Sequence, residues 1–179
     1  MSDSQNLPKE LESTAIARFQ DCDPFGHLNN ARYIDYFLNA REDQLVHAYK
    51  FNIFDHGKTL NANWVTTKNQ VAYLRPVQVM EEIRIRTRLV YFNEKTLVVE
   101  GLMLDNDAQR LKCFAWIEFA YVSMANGRSV NHPEDLMKLF REVAYPSEYD
   151  PDGFNRRIEA VRSEVRNNGK VPTHHVAHK

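Results

Sequence analysis

Residues 19–33 read FQDCDPFGHLNNARY, and a helical pattern begins where the stretch ends. Asp23 supplies a carboxylate, a group that abstracts a proton or attacks an electrophile itself. A helix starting near Asn29 or Asn30 leaves its first N–H groups without intrahelical partners. Those amides sit at the positive end of the helix dipole, where developing negative charge is stabilised. Gly26 lets the backbone approach closely or adopt a positive φ. The stretch therefore sets a carboxylate beside a helix N-terminus. Asp, Asn, Gly and Pro before a helix are also what any capped turn shows. Asp21 reads as a structural acceptor, and His27 either orients the loop or touches substrate. Asn29 and Asn30 are cap candidates, and Tyr33, on the first turn, is a core candidate. Cys22 and His27 suggest a nucleophilic pair, but Asp21 and Asp23 flank the thiol and disfavour its thiolate.

These residues need a frame. From Ala31, the apolar residues Tyr33, Ile34, Phe37, Leu38, Leu45, Val46 and Tyr49 recur at spacings of three and four, which predicts an amphipathic helix over 31–49. Residues 14–20 alternate weakly as a strand, and 50–63 read as a connector. Val65–Leu74 ends at Arg75-Pro76, as strands do before proline. Ile83, Ile85, Thr87, Leu89 and Tyr91 alternate with Arg84, Arg86 and Arg88, the period of a half-buried strand. The arginine side reads as a solvated face or a receptor for phosphates. Thr96–Leu104 and Leu111–Ser123 complete the strands, with turn-forming residues between them. Asn131 caps a further helix in this reading, with Glu134 three residues on. Phe154, Ile158, Val161 and Val165 mark a last helix with a narrow apolar stripe. One helix with an apolar face needs a sheet to cover, so the simplest arrangement is a curved antiparallel sheet wrapped around helix 31–49. The organisation reads as a leader over 1–13, a domain over 14–142 and a charged extension over 143–179.

Bulk properties remove several classes. The chain has 179 residues, a formal charge of -1 and a pI near 6.7, so no basic field points to nucleic acid. The first residues lack the apolar core of a secretory signal, and no run approaches the roughly 18 apolar residues of a membrane span. Cys22 and Cys113 form no metal spacing and no disulfide framework, which predicts a reducing cytoplasm. His174, His175 and His178 lack carboxylate or cysteine partners at ligand spacing. No metal and no cofactor is expected.

The order Asp21-Cys-Asp23-Pro-Phe-Gly26-His27-Leu-Asn29-Asn30-Ala-Arg-Tyr33 resembles the signature Asp-x-Asp-x-x-Gly-His-x-Asn-Asn-x-x-Tyr. That signature belongs to the hotdog-fold thioesterases of the 4-hydroxybenzoyl-CoA thioesterase-like group, especially its acyl-CoA thioesterases. Tyr73-Leu-Arg-Pro-Val77, followed by Glu81-Glu82, also resembles that group. The resemblance covers roughly residues 14–142. It implies an α+β hotdog fold, a sheet around a central helix, and dimers with active sites at the interface. It implies hydrolysis of acyl-CoA to free acid and CoA, with Asp23 as general base or nucleophile. The main-chain N–H of Asn30 would polarise the thioester carbonyl, with His27 beside it. Gly26, Asn29 and Tyr33 complete the set as substrate-contacting candidates. In plant acyl-ACP thioesterases the functional aspartate and histidine match Asp23 and His27, but their asparagine falls at Phe25. Other relatives use a helix glutamate, for which Glu42 is the candidate here.

A thiolate leaves without much help, so one carboxylate and one carbonyl-polarising donor suffice for a thioester. The expected partners are therefore acyl-CoA and a second copy of the chain, as homodimer or homotetramer. Tyr91, Phe92, Phe114, Phe119 and Tyr121 give the strands apolar area to bury. The alternatives are an acyl-ACP thioesterase and a non-catalytic acyl-thioester-binding protein.

Overall fold

The computed structural model describes residues 7–146 and 149–168. His174, His175 and His178 lie outside the described residues. Five antiparallel strands, β1 (Glu10–Ile16), β2 (Ala62–Tyr73), β3 (Glu82–Phe92), β4 (Thr96–Asp105) and β5 (Leu111–Ser123), form one sheet in the order β1-β3-β4-β5-β2. The consecutive strands β3, β4 and β5 pair as a meander, as their short turns dictate. Strands β1 and β2 are the two edges. The long helix α1 (Tyr33–Tyr49) packs on the inner face, so this is the α+β hotdog arrangement.

Successive side chains of a strand face opposite sides, and the buried residues sort accordingly. Ile83, Ile85, Met103, Cys113, Ala115 and Ile117 pack with Tyr33, Phe37 and Ala40 of α1. Gly101 in β4 permits this contact: a Cβ there would lie 2.7 Å from the Phe37 ring. On the other face, Leu102, Leu104, Phe114 and Trp116 pack against Ile158, Val161 and Val165 of helix α4 (Phe154–Asn168). A third cluster joins Leu89, Leu97, Val99 and Tyr121 to Leu136, Phe140 and Val143 of α3 (Glu134–Val143).

Several expectations are corrected. Strand β1 begins at Glu10, inside the stretch read as a leader, and covers 10–16 instead of 14–20. The connector 50–63 contains α2 (Ile53–Leu60), capped by the Asn52 side chain on the N–H groups of Phe54 and Asp55. Asn131 does not cap α3, whose N-cap is Pro133 without a side-chain bond. Tyr91 leaves the β3 alternation because a bulge falls between Leu89 and Tyr91.

The arginine face of β3 is neither solvated nor free. Arg84 and Arg86 bond to Glu12, and Arg88 bonds to Glu10, Glu100 and Glu164. Burial pushes the Glu12 carboxyl up, but hydrogen bonds from Arg86 and Arg84 outweigh it and hold it below its usual range. Fully buried Glu100 also receives the Trp116 Nε1–H at 3.1 Å and Arg157 of α4 at 2.8 Å through two nitrogens. These bonds satisfy the buried charge, and they pin α4 to the sheet.

Candidate active site

Backbone and side-chain hydrogen bonds fix the loop before α1. Asp21 accepts from the Tyr36 hydroxyl at 3.0 Å, and its carbonyl accepts the Asn29 N–H at 2.9 Å. It is the structural acceptor its position suggested. Asp23 folds the loop onto itself: its N–H donates to the His27 carbonyl at 2.7 Å, and its carbonyl accepts the Gly26 N–H. Its Oδ1 accepts the Phe25 N–H at 2.9 Å and the His27 N–H at 3.1 Å. Its Oδ2 has no hydrogen-bond partner among the described residues. One carboxylate oxygen therefore fixes the group while the other stays available. Gly26 has φ +76°, and a Cβ there would meet only Val79 at 3.9 Å, so conformation and not crowding requires the glycine.

The start of the helix is built in two steps. Asn29 accepts the Ala31 N–H at 3.0 Å and caps a short 3-10 turn, Asn30–Arg32, that leads into α1. The Arg32 N–H bonds to the Asn29 carbonyl. The Asn30 N–H has no partner among the described residues. The Asn30 carbonyl accepts the Tyr73 hydroxyl at 2.9 Å, which ties the turn to the end of β2.

An open pocket of about 240 Å3 brings together Asp23, His27, Asn30, Tyr33, Tyr73 and the Leu74–Pro76 wall. Lys112 holds that wall, donating to the Pro76 carbonyl at 3.0 Å and to Glu81 at 2.7 Å. Of the expected residues, Asp23, His27, Asn30 and Tyr33 line this pocket, whereas Gly26 and Asn29 shape the backbone beside it. Tyr33 is buried, and burial pushes its phenol up to about 12 against the opposing Val77 N–H; it is a core residue whose ring walls the pocket. The His27 ring makes no hydrogen bond among the described residues. Glu42 lies elsewhere, in the groove between β1 and α1.

Cys22 donates to the Arg18 carbonyl, and its thiol is pushed up by burial first and by Asp21 and Asp23 second. No group of three or more candidate metal ligands occurs among the described residues. Tyr73 and Arg75 are pocket residues to which no role was given from sequence, although the Tyr73–Val77 stretch carried the resemblance.

A separate apolar cavity of about 80 Å3 lies between α1, α3 and the sheet, with Arg41 and Tyr49 at its margin. Burial pulls the Arg41 guanidinium down to about 10, and Thr87 accepts one of its N–H groups. It shares no lining residue with the Asp23 pocket.

Residues 17–140 match the model of the thioesterase-like superfamily. This chain belongs to that superfamily. Protein THEM6 of Xenopus laevis is 28% identical over 96 residues, which are 54% of this chain and 45% of the relative. The chain thus spans less than half the length of the curated relatives it matches. The YbaW probable thioesterase of Escherichia coli superposes with TM-score 0.65 at 19% identity, over 75% of this chain and 99% of its own. The protein SAV2348 of Staphylococcus aureus, solved in complex with CoA, gives TM-score 0.70 at 12% identity, over 83% and 94%. At these identities the two structures establish the fold. Helix α4 lies beyond the superfamily match. No helix among the described residues is long and apolar enough to cross a membrane.

Proposed function

We propose that the chain is a thioesterase that hydrolyses acyl-CoA to free acid and CoA. The observation that carries this is that one pocket is lined by Asp23, with a carboxylate oxygen that has no partner among the described residues, and by Asn30, whose N–H has none among them either. The Asn30 N–H polarises the thioester carbonyl and stabilises the oxyanion, an effect worth about 2.7–4 kcal/mol for a well-placed donor. Asp23 takes the proton of an attacking water, the C–S bond breaks, and that proton passes to the departing thiolate. Direct attack by Asp23 reaches the same products through an anhydride that water then opens. His27 and Tyr73 border the reacting atoms. Superfamily membership and a neighbour solved with CoA support the choice of substrate class.

The working unit in this proposal is a dimer or tetramer. Strand β2 is a twelve-residue edge with Val65 exposed, and a long open edge needs cover. Phe19, Phe25 and Met80 are also exposed, on the Asp23 loop and on the segment bonded to it through Gly26 and Ala17. The free thiols of Cys22 and Cys113 suit a reducing cytoplasm. The test is a panel of acyl-CoAs with free-thiol detection and no added metal. Release of CoA from at least one medium or long acyl-CoA is expected. Saturable binding with no turnover across the panel would make the chain a binding protein.

A further inference from the structure

We propose that the groove formed by Arg75, Arg110, Arg162 and Arg166 holds the phosphate groups of CoA while the thioester lies beside Asp23. This rests on the acyl-CoA assignment above and adds a binding surface to it. The groove, about 460 Å3 in volume, adjoins the Asp23 pocket, with Leu74 and Arg75 in the wall of both. A molecule seated at Asp23 reaches the groove by extending past Arg75.

Three elements converge to build it. The N–H groups of Leu74 and Arg75 both donate to the Lys112 carbonyl, which sets the end of β2 against the start of β5. Arg110 immediately precedes Leu111, the first residue of β5. Leu111 shares a core with Val165 of α4, so Arg162 and Arg166, one turn apart around Val165, are carried to the same groove. Helix α4 lies outside the superfamily match, so half of this cluster is an addition to the matched domain.

The charge balance is what distinguishes the groove. Its lining sets four arginines against one carboxylate, Glu159, which pairs with Arg162 at 2.6 Å. Arg75, Arg110 and Arg166 have no carboxylate within 4.0 Å among the described residues. The arginines of β3, by contrast, are all matched by glutamates. Arg75, Arg110 and Arg166 are exposed, so their charge is open to an anion arriving from solvent. Guanidinium groups suit phosphate oxygens, which they bind in pairs of parallel hydrogen bonds. CoA carries a pyrophosphate and a 3′-phosphate at the end remote from its thioester.

The experiment pairs Arg162→Gln/Arg166→Gln with the wild-type chain, with melting temperature as the folding control. Turnover is followed with an acyl-CoA and with the same acyl group on pantetheine, which lacks the nucleotide. Binding of 3′,5′-ADP is measured by calorimetry at low salt, where screening is weak. The double variant is expected to raise KM for the acyl-CoA by roughly ten- to a hundredfold, with kcat unchanged. Affinity for 3′,5′-ADP should fall by a similar factor, and turnover of the acyl-pantetheine should not change. Each lost guanidinium–phosphate contact is taken as roughly tenfold. An unaltered KM and 3′,5′-ADP affinity would overturn the proposal. So would failure of the wild-type chain to bind 3′,5′-ADP, or an equal loss of turnover with the acyl-pantetheine. Should no thioester be hydrolysed while 3′,5′-ADP binds and the variant loses it, the hydrolysis assignment falls and the groove stands.

Discussion

Replacing Gly101 with alanine should loosen the packing that positions the start of α1. The new Cβ would lie 2.7 and 2.8 Å from Cδ1 and Cε1 of Phe37, a ring that is 1% exposed. Carbon atoms in contact prefer about 3.5–4.0 Å, so the ring must retreat by roughly 1 Å in a core that has no room for it. Overpacking of this kind costs about 1–3 kcal/mol. The loss of glycine's unfolded-state freedom offsets about 0.4–1 kcal/mol. A net destabilisation of about 1–2 kcal/mol lowers Tm by roughly 2–8 °C for a domain of this size. Phe37 is one turn beyond Tyr33, on the helix that continues from the 3-10 turn presenting the Asn30 N–H. A misplacement of about 1 Å can cost roughly a hundredfold in rate, so acyl-CoA turnover should fall more than stability suggests. Differential scanning calorimetry and thiol-release kinetics on the variant measure both. The double variant with Phe37→Leu should recover part of the loss, because the two sites touch. A Tm and a turnover both equal to wild type would refute the claim that this contact fixes the helix.

Other expectations are more direct. Cys22→Ser should retain most activity, since burial and the flanking aspartates disfavour the thiolate; complete loss in a folded variant would overturn the aspartate mechanism. Stability should fall as pH drops below about 6.5, the pKa of unfolded histidine. Burial holds His132 and His56 below that value, and Trp64 donates its Nε1–H to His132 Nε2 at 3.0 Å, which fixes the neutral form. The unfolded chain therefore takes up the proton first, and stability rises with pH through this window. A Tm independent of pH between 5 and 7.5 would contradict this, and His132→Gln should flatten the dependence. Light scattering at micromolar concentration should find at least a dimer, and a purely monomeric species would defeat the proposed interface.

The Asp23 loop was legible because its chemistry is local: a carboxylate, a positive-φ glycine and a capping asparagine all act within a few residues of each other. The unpartnered N–H of Asn30 followed from helix termini in general. Tyr73 did not, because its hydroxyl reaches Asn30 across 43 positions of sequence. The arginine face of β3 misled for the same reason, since the register that sets Glu10 and Glu12 opposite Arg88 and Arg86 is a tertiary fact. Helix α2 was hidden by Gly57, where a Cβ would lie 2.7 Å from the Asn63 amide nitrogen. The apolar stripe of α4 was visible, but its target, the outer face around Phe114 and Trp116, was not.

The central claim is that Asp23 performs the chemistry, and Asp23→Asn tests it most directly. The amide preserves the size of the side chain, and its oxygen can still accept the Phe25 and His27 N–H groups. Folding and acyl-CoA affinity should therefore stay close to wild type. The variant cannot take up a proton, and a catalytic base contributes about 10²–10⁴-fold, so turnover of the best acyl-CoA should fall by at least that range. Asp21→Asn, which touches Tyr36 and not the pocket, serves as the control. Near wild-type turnover by Asp23→Asn, with Tm and affinity unchanged, would contradict the assignment and move the catalytic carboxylate to another residue.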